Sequence, residues 1–67
     1  MTLAINGEPR TVPAGTTVAA LLADLGFAAP SGIAVAVNAR VVTRSAFASH
    51  ALAEGDEVEI IRAVAGG

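Results

Sequence analysis

Thr16-Thr17-Val18-Ala19-Ala20-Leu21-Leu22-Ala23-Asp24-Leu25-Gly26-Phe27 is the stretch that decides the fold. Val18, Leu21, Leu22 and Leu25 recur at i, i+3, i+4 and i+7, which puts four apolar side chains on one stripe of a helix. Thr16 is the expected N-cap of a helix beginning at Thr17. Gly26 suits the left-handed position just past the helix end, and Phe27 after it can fold back on Leu22 in a Schellman ending. Gly15-Thr16-Thr17 is not a phosphate loop, because it has neither the lysine nor the second glycine that such a loop needs. The stripe is core, and it needs a sheet to lie on.

The flanks supply one. Upstream, Thr2-Leu3-Ala4-Ile5 alternates in the strand period, with Leu3 and Ile5 on one face. Asn6-Gly7 is the strongest short hairpin signal, since both residues tolerate positive φ. Arg10-Thr11-Val12 is the expected returning strand, stopped by Pro13. Downstream, Ile33-Ala34-Val35-Ala36-Val37-Asn38 puts its large side chains on one face and only alanines on the other. Asn38-Ala39 is a turn, and Arg40 to Thr43 a short strand suited to a sheet edge. Arg44 to Ala53 has no clear period, with Phe47 and Leu52 as the anchors beneath a surface loop. Glu54-Gly55-Asp56 is a turn signal before the last strand, Glu57-Val58-Glu59-Ile60-Ile61.

Val58 and Ile60 are expected under the helix with Leu3, Ile5, Ile33, Val35 and Val37. The opposite face then carries Ala4, Ala34, Ala36, Ile61, Glu57 and Glu59, a flat and partly apolar surface that is a candidate for docking a partner. The acidic group Glu54, Asp56, Glu57 and Glu59 serves either to steer such docking or for solubility.

Composition narrows the function. The chain has 67 residues and no cysteine, so disulfides and thiolate-bound metals are excluded as staples of a small core. Sixteen residues are alanine, which leaves roughly twenty bulkier apolar side chains for one sheet and one helix. Arg10, Arg40, Arg44 and Arg62 are dispersed, lysine is absent and the net charge is −2, so no basic stripe exists for nucleic acid. No apolar run approaches membrane-spanning length. Met1 to Arg10 lacks the charged start and apolar run of a secretory signal, and the expected compartment is the cytoplasm. His50 is the only histidine, with no evident partners for a metal or catalytic role. Ser45 and Ser49 lack a base and an orienting acid for nucleophilic catalysis.

The order strand, strand, helix, strand, short strand, strand reads as an α+β, β-grasp (ubiquitin-like) fold, a mixed sheet of about five strands packed on one main helix. Residues 1–61 are the expected domain and 62–67 a flexible tail ending in Gly-Gly. The hairpin Asn6-Gly7, the run Val35-Ala36-Val37-Asn38, the pair Arg44-Ser45, the segment Glu54 to Ile61 and the terminal Gly66-Gly67 resemble the ThiS family, the sulfur carriers of thiamin biosynthesis, over essentially the whole chain. Ala39 stands where the family usually has glycine, and Thr43 where it often has proline.

The resemblance implies a carrier that is not itself an enzyme and binds no cofactor. A ThiF-type adenylating enzyme would use ATP to activate the Gly67 carboxylate, a persulfide donor would convert it to a thiocarboxylate, and a ThiG-type thiazole synthase would receive the sulfur. The physical need for activation is general: an α-carboxylate, with a reference pKa near ~3.5, is ionised at neutral pH and is a poor acyl donor. Six extended residues reach at most roughly 20 Å, enough to thread a partner's channel. Gly66 gives clearance there because it has no Cβ. Ile61, Arg62, Ala63, Val64, Ala65, Glu57 and Glu59 are the expected partner-binding residues, with a partner carboxylate or solvent on Arg62. Two alternatives stay open: the small subunit of molybdopterin synthase, which shares the fold and the Gly-Gly end, and a β-grasp interaction module with an inert tail.

Overall fold

Asn6 and Gly7 take φ of +50° and +85°, the pair of positive values that a two-residue hairpin turn demands. They join β1 (Thr2–Ile5) to the antiparallel β2 (Glu8–Thr11), with Ile5 opposite Glu8. The computed structural model describes residues 1–27 and 32–62. The returning strand begins two residues before the expected Arg10 and includes Pro9. Pro9 is tolerated because β2 is a sheet edge, where a residue without an N–H need not break a ladder.

Helix α1 spans Val18–Asp24, and its N-cap is Thr17 rather than the expected Thr16. The Thr17 hydroxyl accepts from the Ala20 N–H at 3.1 Å, whereas the Thr16 hydroxyl is turned back to the Pro13 carbonyl at 2.7 Å. The other two N-terminal donors are met by the loop ahead of β5. Val18 N–H donates to the His50 carbonyl at 3.0 Å and Ala19 N–H to the Phe47 carbonyl at 2.9 Å. Three donors at the helix start thus have partners, two of them through tertiary contacts. At the other end, Gly26 N–H donates to Ala23 O at 3.1 Å and Phe27 N–H to Leu22 O at 2.9 Å, with Gly26 at φ +92°. Both bonds of a Schellman ending are present, as expected.

Strands β3 (Ile33–Val37) and β4 (Arg40–Val42) form a second hairpin around Asn38-Ala39, and β5 runs Glu57–Arg62. The sheet order is β2-β1-β5-β3-β4, with β5 parallel to β1 and antiparallel to β3. The β-grasp reading holds: the first and last strands pair in parallel, and β5 is the central strand. Leu3, Val18, Leu21, Val35 and Val58 are the most deeply buried side chains. Phe47 and Leu52 anchor the loop as expected. Val12 and Val42 join them in the core, while Ile5, Leu25, Phe27, Ile33 and Ile60 pack at its margin.

Candidate functional site: the outer sheet face and the exit of β5

β5 alternates strictly. Val58 is buried, Ile60 is partly buried, and Arg62 continues the same side of the strand. Glu57, Glu59 and Ile61 lie on the other side, facing away from α1. Their register neighbours complete a surface: Ala4 pairs with Glu57, Ala36 with Glu59 and Ala34 with Ile61. Val41 pairs with Ala36 from the far side and so shares this face. Ile61 is 59% exposed and Val41 77%. The outer face thus carries the alanines, Ile61 and both glutamates as expected, and gains Val41. Val41 was legible in principle, since burying Val42 against the core leaves its neighbour pointing out.

The acidic group divides by task. Glu54 accepts the Thr2 N–H at 3.0 Å, and Asp56 accepts both the Asn38 amide at 2.9 Å and the Ala53 N–H at 2.8 Å. These two carboxylates hold the turn before β5. Glu57 and Glu59 are exposed on the sheet.

Arg62 belongs to β5, opposite Ile33, one residue beyond the expected strand end at Ile61. Its guanidinium lies 4.8 Å from the centre of the Phe27 ring. A cation over an aromatic face is attractive, and it occupies the group that sequence reasoning left for a partner carboxylate or solvent. Phe27 was legible only as part of the helix ending, because its contact with Arg62 joins residues far apart in sequence. A groove of about 440 Å³ opens beside this pair, lined among others by Asn6, Arg10, Leu25, Phe27 and Arg62. Arg10 closes its rim by pairing with Asp24 at 2.7 Å. Ala63, Val64, Ala65, Gly66 and Gly67 lie outside the described residues. Among the described residues, no group of three His, Cys, Asp or Glu side chains is placed to hold a metal. No described helix is long and apolar enough to cross a membrane.

Comparison with known proteins converges on one family. A family model described as the ThiS family matches residues 3–67. The sulfur carrier protein ThiS of Escherichia coli is 33% identical over 67 residues, covering all of both chains. A thiazole synthase of Magnetococcus marinus is 42% identical over 67 residues, a match that takes in all of this chain but 20% of the synthase. The chain thus spans about a fifth of that relative's length. The crystal structure of the thiamine biosynthesis protein ThiS from Geobacter metallireducens superposes with a TM-score of 0.85 at 35% identity, covering all of both chains.

Proposed function

The chain belongs to the ThiS family, and from that premise we propose that it is a sulfur carrier of thiamin biosynthesis whose reacting group is the α-carboxylate of Gly67. A ThiF-type enzyme would activate it: a carboxylate oxygen attacks the α-phosphorus of ATP, releasing pyrophosphate and leaving an acyl-adenylate. The terminal sulfur of a persulfide then displaces AMP. A thiol of the partner cleaves the resulting acyl disulfide, and the thiocarboxylate is released to carry sulfur to a thiazole synthase. The chain supplies no catalytic side chain to these steps. It supplies a scaffold, a docking face and a reacting end, and ATP belongs to the partner.

The observation that carries this reading is the position of β5. The central strand of the sheet leads through Ile61 and Arg62 directly into Ala63-Val64-Ala65-Gly66-Gly67, so the docking face and the reacting end belong to one continuous stretch. Ile61, Val41, Ala34 and Ala36 form the apolar part of the face that meets the partner, with Glu57 and Glu59 beside them. Gly66 admits the backbone close to the nucleotide. The thiazole synthase that contains a segment similar to this whole chain supports a ThiG-type recipient. Together with the full-length likeness to ThiS, it favours the thiazole branch over the molybdopterin synthase alternative. The experiment is ATP–pyrophosphate exchange by the adenylating enzyme with the chain as substrate. Exchange is expected with the intact chain and absent after deletion of Gly67; equal exchange from both would remove Gly67 from the chemistry.

A further inference from the structure

The end of β5 is tied down by side chains that the carrier chemistry itself does not use. Backbone pairing between β1 and β5 runs as far as Ile5 opposite Val58, after which the Asn6-Gly7 turn carries β1 away. Asn6 extends the ladder with its side chain. Its backbone N–H donates to Val58 O at 2.8 Å, its side-chain carbonyl accepts the Ile60 N–H at 2.8 Å, and its amide nitrogen donates to Ile60 O at 3.2 Å. One amide group thus supplies the donor and the acceptor that the missing strand residue would have supplied. Two residues on, the Arg62 guanidinium sits 4.8 Å from the Phe27 ring centre. Phe27 is itself fixed by its N–H bond to Leu22 O at 2.9 Å, so Arg62 is referred to the helix end. On its other side Arg62 pairs with Ile33 of β3. A strand end would ordinarily fray; here it is held from the hairpin turn, the helix terminus and the neighbouring strand.

We infer that Asn6 and Phe27 are positioning residues that fix the point and direction in which the chain leaves β5 at Arg62, so that the Gly67 carboxylate is presented to the adenylating site in register with the docked sheet face. The inference rests on the carrier reading above. Its force comes from leverage. Five residues span at most roughly 17 Å when drawn out, so the point and direction in which β5 ends at Arg62 decide whether a partner's channel can receive the carboxylate while the sheet face stays docked. A misplacement of about 1 Å at a reacting centre can already cost about a hundredfold in rate.

Asn6→Gly keeps the positive φ of the turn and removes both side-chain bonds. Phe27→Leu keeps an apolar side chain and removes the ring face. Each is assayed by ATP–pyrophosphate exchange over a range of carrier concentrations, with the folded fraction measured by amide NMR and the hydrogen exchange of the Ile60 amide followed in parallel. The expected result is a fall of about tenfold in kcat per folded molecule, with KM for the carrier changed by less than about twofold because the docking face is intact. Faster exchange at Ile60 is expected in Asn6→Gly, and recovery of most of the rate in Phe27→Tyr. Wild-type kcat per folded molecule in both variants would overturn the inference, as would a rise in KM alone. An inactive wild-type chain would overturn the carrier reading, and this inference with it.

Discussion

Ala39 takes φ +67° and, among the described residues, is the only positive-φ residue that is neither glycine nor asparagine. Its partner in the turn, Asn38, sits at φ +51° and is repaid for it: its side chain accepts the Glu57 N–H at 3.0 Å and donates to Asp56 at 2.9 Å. Ala39 has only a methyl group, which crowds the following carbonyl in the left-handed region at a cost of roughly 1–2 kcal/mol. Glycine would remove that cost but would lose about 0.4–1 kcal/mol through a more flexible unfolded chain. Ala39→Gly should therefore stabilise the domain by about 0.5–1 kcal/mol, raising the thermal midpoint by a few degrees. Calorimetry checks this, and a lowered midpoint would mean that the alanine conformation is not strained. The departure at this position was visible in the sequence, and its energetic sign follows from the turn that the structure contains.

At the scale of elements, α1 is a seven-residue helix, shorter than isolated helices that are stable in water, so its ends and its packing must hold it. Thr17→Ala removes the hydroxyl that meets the Ala20 N–H and is expected to cost about 1 kcal/mol. Thr16→Ala, which leaves that bond in place, should cost less. Denaturant midpoints distinguish the two, and the reverse ranking would restore the cap expected from sequence. The apolar stripe, both hairpin turns and the Schellman ending were legible because each is a local pattern of period or backbone permission. The cap was misplaced by one residue because two adjacent threonines are equivalent until the Pro13 carbonyl claims one of them. The Asn6 bonds to Ile60 and the Arg62 contact with Phe27 were beyond reach for the same physical reason: each joins residues far apart in the chain, which only the folded sheet brings together. For the outer face, the strand period identified Ile61, and Ile61→Asp tests it. The substitution puts a charge at an exposed position and should leave the unfolding free energy within about 0.5 kcal/mol of wild type. Binding to the adenylating enzyme should weaken by at least about tenfold, the loss that follows from desolvating a carboxylate against an apolar contact. Unchanged affinity by calorimetric titration would take Ile61 out of the interface.

In the proposed function the whole molecule divides the work between a folded body and a reacting end. The body's bulky apolar side chains go largely to packing one helix against five strands. Its turn-holding carboxylates, Glu54 and Asp56, are committed to backbone donors. The proposed function falls to the outer face and to Gly66-Gly67, which follow β5 in the sequence. On the proposed function the Gly67 carboxylate is the site of sulfur transfer. This is tested most directly by the intact mass of the chain after incubation with the adenylating enzyme, ATP and a persulfide donor, with fragmentation to locate the change. The expected result is a mass increase equal to the replacement of one oxygen by sulfur, carried on the fragment containing Gly67. An unchanged mass with an active enzyme preparation, or sulfur located on any other residue, would contradict it.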